Sequence, residues 1–161
     1  MLPSPKFELM KAGDTAALLR MMERYYAEDH LEFSESRALA GLEKLRFDEK
    51  LGKIFLIILS DLCSDSDSDS TLPIGYVAVL FSFSLEYGGK IAFVDELYVE
   101  PQFRGLGYGT RALEFLKKEC AQLDFSALRL EVTPTNPRAL KLYESLGFQN
   151  LKRSLLSLPL L

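Results

Sequence analysis

The sequence contains few of the residues that build metal centres or disulfide scaffolds. Its 161 residues include only two cysteines, Cys63 and Cys120, and one histidine, His30. The cysteines are far apart, and neither has a second Cys or a His at the spacing of metal ligands. We therefore expect no zinc site, no other bound metal and no disulfide framework.

Long apolar runs are also lacking. No apolar run is longer than that of Ile54 to Leu59, far below the roughly 20 residues that cross a bilayer. Met1 to Met10 has no basic start followed by an apolar stretch, which a secretion signal would have. We therefore expect a cytoplasmic protein without a membrane partner.

Positive charge is in short supply, since 19 Lys and Arg face 23 Asp and Glu, which gives a net charge of −4. This balance disfavours nucleic acid as a partner, because nucleic-acid proteins bind largely by neutralising phosphates. Residues 1–100 carry 10 basic and 18 acidic groups, whereas residues 101–161 carry 9 and 5. Solvated helix faces commonly produce such an imbalance, but it also suits an anion bound by the second half and a cation bound by the first.

Core-forming residues are plentiful. Hydrophobic residues make up 48% of the chain, with 11 Phe and 7 Tyr, and the length suits a single domain over residues 1–161. Within it, residues 60–73 are nearly all Ser and Asp, which is typical of a flexible, solvated loop. The aspartates there resemble the start of a calcium loop. Calcium is nevertheless disfavoured, because Ser70 and Tyr76 stand where that loop needs Gly and Glu.

Periodicity predicts an α/β protein with the element order β-α-α-β-β-β-α-β-α-β. Apolar or alternating runs predict strands over residues 7–10, 53–60, 74–85, 91–99 and 127–132, with a further strand at the C-terminus. Helical spacing with capping residues predicts helices that begin near residues 14, 34, 108 and 136. A mixed sheet with helices on both faces follows.

The most specific segment is a glycine-rich turn between a strand and a helix, VEPQFRGLGYGT at residues 99–110. Such a turn offers backbone N–H groups, and the following helix its positive end, to a phosphate or diphosphate. Two familiar phosphate loops do not fit. A P-loop needs a Lys between Gly109 and Thr110, and a dinucleotide fingerprint needs a glycine in place of Thr110.

Arg104, Gly107 and Gly109 satisfy the Arg/Gln-x-x-Gly-x-Gly/Ala signature, and with its element order the chain resembles the GCN5-related N-acetyltransferase (GNAT) family. The resemblance implies a mostly antiparallel sheet of six to seven strands and acetyl-coenzyme A (acetyl-CoA) as co-substrate. It also implies that the backbone amides of Leu97 and Val99 hold the pantetheine and polarise the acetyl carbonyl. The segment that would hold the diphosphate comprises Arg104, Gly105, Leu106, Gly107, Tyr108, Gly109 and Thr110.

A second motif extends this resemblance, with Leu-Glu-Val at 130–132, then Asn136, then Leu-Tyr-Glu-Ser-Leu-Gly-Phe at 142–148. By resemblance Asn136 contacts the pantetheine arm, and Tyr143 places its phenol near the thioester sulfur. A tyrosine suits this position, because its free pKa of about 10 keeps it able to donate a proton to a leaving thiolate. From the residues alone, Tyr143 is a member of the apolar stripe of a helix.

Three carboxylates fall in predicted apolar strands: Asp95, Glu96 and Glu131. Burial of a charge is costly, and a carboxylate whose pKa is raised can deprotonate an incoming amine. By resemblance, polyamine acetyltransferases have an acidic pair where Asp95 and Glu96 fall. Protein N-terminal acetyltransferases of the ribosomal-alanine type have instead a Glu twelve residues before the tyrosine, here Glu131.

Neighbours on a regular strand face opposite sides of a sheet. Asp95 and Glu96 can therefore act together only if their strand bulges. We favour Glu96 over Glu131 as the base, and structural salt bridges remain the alternative for each carboxylate.

Two further residues are candidates for acceptor binding. His30 lies between the first two helices, a region that borders the acceptor site in relatives, and Glu86 lies in the turn of the aromatic hairpin. A capping or exposed role for His30 and a solvated position for Glu86 are the alternatives.

The sequence therefore predicts an enzyme that transfers acetyl from acetyl-CoA to the primary amine of a small cationic molecule. The amine attacks directly, with Tyr143 as the acid and a carboxylate as the base. The alternatives are acetylation of a protein N-terminus or lysine, and a coenzyme-A-binding sensor without turnover. The identity of the acceptor and the formation of a homodimer stay open.

Overall fold

A five-stranded sheet with its strands in sequence order belongs to the first of two compact units, Met1–Glu131 and Val132–Leu161. The computed structural model describes residues 3–60, 71–134 and 136–160. Its strands are β1 (Lys6–Leu9), β2 (Gly52–Ser60), β3 (Thr71–Ser84), β4 (Gly89–Val99) and β5 (Ala127–Leu130). β1 to β4 pair antiparallel and β5 pairs parallel to β4. The predicted mixed, mostly antiparallel sheet is confirmed.

Three helices belong to the first unit and one to the second. They are α1 (Thr15–Glu28), α2 (Glu35–Phe47) and α3 (Tyr108–Gln122), and then α4 (Pro137–Ser145). The Ser34 hydroxyl caps α2 by accepting a hydrogen bond from the Arg37 N–H at 3.4 Å. In the part of the chain that the structure describes, no helix is long and apolar enough to cross a membrane.

Different helices cover the two faces of the sheet. Leu18 of α1 and Leu42 of α2 pack with Tyr76 in one core cluster, and Tyr108 of α3 packs with Ile57 in another. Residues 54, 56 and 58 of β2 belong to the first cluster, whereas residues 57 and 59 belong to the second. Because strand side chains alternate, the two clusters lie on opposite faces. The expectation of helices on both faces is confirmed.

The predicted C-terminal strand is wrong for the described residues. Residues 146–160 form no strand, and the described sheet has five strands rather than six to seven. Alternation is confined to Leu156, Leu158 and Leu160, and Pro159 between the last two has no N–H for a strand ladder. Leu155, Leu156, Leu158 and Leu160 are between 72% and 90% exposed.

The predicted loop 60–73 is shorter at both ends. Ser60 ends β2 and Thr71 begins β3, and the two residues are paired. Residues 61–70, which carry the remaining Ser/Asp stretch and Cys63, lie outside the described residues.

Candidate active site

β4 bulges at Asp95, within the predicted carboxylate pair. Val79 of β3 pairs with Val94, and the preceding Ala78 pairs with Glu96, so Asp95 has no partner on β3. An extra residue of this kind bends the strand and redirects the side chains beside it. The bulge that both carboxylates need in order to act together is therefore present.

The bulge turns both carboxylates toward α1 and α2. Paired residues of neighbouring strands share a face, and Ala78, the partner of Glu96, belongs to the core cluster of these helices. In a bulge two residues oppose one residue of the partner strand, so Asp95 and Glu96 both lie opposite Ala78. The two carboxylates thus face one site, although they are neighbours in sequence.

Glu96 is buried and hydrogen-bonded. The residue is 8% exposed, and the hydroxyl of Tyr76 donates a hydrogen bond to its Oε2 at 2.8 Å. Burial raises the pKa of the Glu96 carboxyl, hydrogen bonds from Tyr76 and Tyr26 oppose the rise, and the charge of Asp95 adds to it. A carboxyl with a raised pKa and neutral donors around it is suited to accept a proton.

Asp95 lies at the open side of this site. Its side chain is exposed at the surface, yet the surrounding protein removes enough water to raise the pKa of its carboxyl. Asp95 can therefore contact an acceptor arriving from solvent.

Tyrosines lie beside Glu96, since Tyr76 and Tyr26 both donate hydrogen bonds to its carboxylate. The rings of Tyr25 and Tyr26 are 5.7 Å apart, and the ring of Tyr25 is 6.4 Å from that of Tyr98. Burial raises the pKa of Tyr25, Tyr26 and Tyr76, so all three remain neutral donors. Their role is not visible in the sequence, because each occupies a core position of its helix or strand. The one available signal was the Tyr25-Tyr26 pair, since helical spacing requires only one of the two.

Glu131 does not lie inside an apolar strand, and that expectation is wrong. β5 ends at Leu130, and the Glu131 side chain is exposed. The cause lies on the neighbouring strand. β5 pairs with β4 only up to Val94, and the bulge at Asp95 begins directly after it.

Glu86 and His30 lie in turns, and the structure gives neither of them a contact with Asp95 or Glu96. Glu86 lies in the turn before β4 and accepts a hydrogen bond from Arg129 Nη2 at 3.2 Å. Its turn is roughly 20 Å along the strand from Asp95, at about 3.3 Å per residue. His30 is exposed in the turn after α1, with a φ of +56°. Their roles in acceptor binding stay predictions.

Beyond the bulge, β4 has an open edge, because β5 ends before this point. The Glu100 N–H donates to the Ile74 carbonyl of β3 at 2.8 Å. Strand N–H groups alternate in direction, so those of Leu97 and Val99 point away from β3. The Val99 carbonyl also points away from β3, since it accepts a hydrogen bond from Arg104 Nε at 2.7 Å. These two residues therefore offer backbone donors on the open side.

A glycine-rich loop leads from this edge into α3. Gly105 and Gly107 have φ values of +77° and +83°, which side chains other than glycine rarely adopt. Gly107 is also the N-cap of α3, and no side chain caps the first N–H groups of the helix. A Cβ added at Gly105, Gly107 or Gly109 would meet no atom within 4 Å. This open, positively polarised surface fits a diphosphate.

The side chains of this loop differ in exposure. Leu106 is 36% exposed and Thr110 is half-buried, whereas Tyr108 is 2% exposed and packs in the core cluster of α3. The Tyr108 hydroxyl donates to the Pro3 carbonyl at 3.3 Å. Tyr108 can therefore bind a ligand at the loop only through its backbone N–H, and not through its side chain.

The Arg104 side chain already has partners. Its Nη2 donates to both carboxylate oxygens of Glu28, at 2.9 and 2.8 Å, and its guanidinium lies 5.3 Å from the ring centre of Tyr98. The family signature predicts a diphosphate contact for Arg104, whereas nothing in the sequence indicates the ion pair with Glu28, which is far away in sequence.

The second unit holds the remaining two predicted residues on α4. Asn136 caps the helix, its Oδ1 accepting a hydrogen bond from the Ala139 N–H at 3.0 Å, so its amide nitrogen is the donor it offers elsewhere. Tyr143 is half-buried, with its ring 5.9 Å from that of Phe148. Burial raises the pKa of Tyr143 and keeps its phenol protonated.

Comparison with known proteins places the chain in a family. Residues 19–148 match the acetyltransferase (GNAT) family, and the chain belongs to it. A thialysine N-epsilon-acetyltransferase of Bos taurus is 30% identical over 147 residues, which cover 88% of this chain and 82% of that protein. A spermidine/spermine N(1)-acetyltransferase-like protein 1 of Homo sapiens is 21% identical over 137 residues, or 85% of this chain and 19% of that longer protein.

Solved structures share the fold. An integron cassette protein from a salt-marsh metagenome has a TM-score of 0.77 and 30% identity, covering 96% of this chain and 90% of that one. An aminoglycoside N-acetyltransferase solved in complex with CoA has a TM-score of 0.78 and 13% identity, covering 100% and 98%. The chain is accordingly an acetyl-CoA-dependent N-acetyltransferase that acts on amines.

Gly109→Ala should weaken acetyl-CoA binding by about 1–3 kcal/mol, the usual cost of an extra methyl group in filled space. The added Cβ meets no protein atom, so it would crowd only the bound diphosphate. Gly107 is less suitable, because its positive φ adds backbone strain. Gly41→Ala, an equally open position on α2, is the matched control and should leave the affinity unchanged. Calorimetry measures both, and an unchanged affinity for Gly109→Ala would exclude the loop from the site.

Glu96→Gln should raise the melting temperature at pH 8 and have little effect near pH 4. Burial raises the pKa of folded Glu96 above its unfolded value. Protonated Glu96 therefore contributes fully to the stability of the fold below its unfolded pKa of about 4.3. This contribution is lost as the pH rises through the folded pKa. Glu43→Gln, an exposed position on α2, should change neither value. An equal shift of Glu96→Gln at both pH values would contradict this account.

Proposed function

We propose that the enzyme acetylates the primary amine of a small cationic molecule. One observation carries the proposal: Glu96 is buried next to the exposed Asp95, and the groups that donate hydrogen bonds to Glu96 are neutral tyrosine hydroxyls rather than a described Lys or Arg. Buried carboxylates commonly have a cationic partner, and the ammonium group of a substrate would supply it. The relatives named for thialysine and for spermidine and spermine support an amine of this kind.

The amine nitrogen attacks the thioester carbonyl carbon directly, forming the amide while the bond from carbon to sulfur breaks. Glu96 takes the proton from the substrate ammonium, directly or through water, an effect of roughly 100- to 10,000-fold. The backbone N–H groups of Leu97 and Val99 polarise the carbonyl. The phenol of Tyr143 gives its proton to the departing sulfur, and the second proton that the nitrogen loses as the amide forms returns through water to the Tyr143 phenolate. Asn136 contacts the pantetheine arm.

The diphosphate binds to the backbone of residues 104–110 and to the first N–H groups of α3. Direct attack is favoured over an acetyl-enzyme, because burial raises the pKa of Cys120 to about 11 and keeps its thiol protonated. We also propose that residues 1–161 act as one acetyltransferase domain. The family match over residues 19–148 continues from the first unit into the second.

A screen of amines with release of CoA as the readout tests the acceptor class. We expect turnover of thialysine, diamines and polyamines, because a charged ammonium complements the acidic pair, and little turnover of neutral amines of the same length. Turnover confined to peptide N-termini or lysines in peptides would overturn the small-molecule proposal. Tight acetyl-CoA binding without turnover of any amine would indicate a sensor instead.

Tyr143→Phe should lower kcat roughly 10- to 1,000-fold with acetyl-CoA affinity nearly intact, because the ring is kept and the proton donor is lost.

Among Asp95→Asn, Glu96→Gln and Glu131→Gln, the variant of the true base should lose the acidic limb of the pH profile of kcat. We expect this of Glu96→Gln, and a raised acceptor KM for Asp95→Asn. If none of the four variants alters turnover, positioning and the free-base fraction of the amine must supply the rate.

A further inference from the structure

Two ion pairs side by side join α1 to the segment that follows β4. Arg24 Nη1 lies 2.7 and 2.8 Å from the two carboxylate oxygens of Glu100. One helical turn later, Glu28 accepts from Arg104 Nη2 at 2.9 and 2.8 Å. The order of charges is reversed between the two pairs, so a shift of the helix by one turn would bring like charges together. The two pairs therefore specify one register of α1 against this segment.

Both residues on the loop side are themselves held by β4. Glu100 is 8% exposed and accepts a hydrogen bond from the Tyr98 hydroxyl at 3.2 Å. The Arg104 guanidinium lies over the same ring and donates through Nε to the Val99 carbonyl at 2.7 Å. Each ion pair thus joins α1 to a side chain whose own position is fixed.

The elements joined in this way belong to the two halves of the proposed site. The segment 100–104 leads directly into Gly105 and the start of α3, where the diphosphate is expected. The helix carries Tyr25 and Tyr26, which lie beside Asp95 and Glu96. The ion pairs therefore join the helix that carries these tyrosines to the segment that leads into the loop.

We propose that Arg24 and Glu28 are positioning residues for acetyl-CoA binding. They hold the segment 100–104, and through it the glycine-rich loop, in the conformation that receives the diphosphate, without touching the ligand. The Arg104 side chain serves this pairing rather than contributing its charge to the diphosphate. The inference rests on the proposed function, in that acetyl-CoA binds at this loop.

A double-mutant cycle on the Glu28 and Arg104 pair tests the inference, with acetyl-CoA dissociation constants measured by calorimetry and unfolding followed in parallel. Glu28→Gln and Arg104→Gln should each weaken binding about two- to fivefold, the range of a partly exposed ion pair. The double variant should be no weaker than either single variant.

A different pattern would overturn the inference. If Arg104 neutralises the diphosphate directly, Glu28→Gln will leave binding unchanged or tighten it, because a competing carboxylate is removed. The matched control is the exposed pair of Lys11 and Glu8, 3.5 Å apart, whose double Gln variant should not change the affinity. Failure of the unmodified protein to bind acetyl-CoA would refute the proposed function, whereas normal binding by all the variants refutes only the positioning role.

Discussion

The burial of the Glu96 carboxyl depends on one irregular residue. The bulge at Asp95 turns Glu96 toward the face of α1 and α2, where loss of water raises its pKa. The same bulge follows directly on Val94, the last residue of β4 that pairs with β5. One extra residue therefore directs the acidic pair and borders the open edge at which Leu97 and Val99 present their N–H groups.

Tyrosine hydroxyls reduce the cost of burying the Glu96 carboxyl by donating hydrogen bonds to it, without bringing a positive charge next to it. The Tyr76 hydroxyl satisfies one Glu96 oxygen at 2.8 Å, which removes most of the cost of an unpaired buried acceptor. An arginine or lysine in the same place would stabilise the ionised form much more and hold the pKa of Glu96 below its usual range. Such a carboxylate would be a weak base. Neutral donors therefore preserve the proton affinity that the proposed reaction needs.

Sequence patterns predicted the features whose causes are local. The glycines of the loop and the caps of α2 and α4 each follow from a few neighbouring residues, whereas the bulge at Asp95 entered only as a condition for the two acids to act together. The features that were missed depend on distant contacts. The ion pairs of Arg24 and Glu28 each join residues 76 positions apart. Glu131 lies outside β5 because of an irregularity on β4, and nothing in its own segment signals this.

The excess of acidic residues in the first half of the sequence does not by itself locate a cation site, because several of these residues form ion pairs with arginines. Glu28, Glu86 and Glu100 each lie within 3.2 Å of an arginine nitrogen, so they add little to the attraction of a cation. Asp95 and Glu96 differ, since burial raises the pKa of both and no described Lys or Arg opposes it. Charges interact more strongly where water is excluded. The ammonium group of the proposed acceptor would therefore meet, at the bulge, two carboxylates that no described Lys or Arg neutralises.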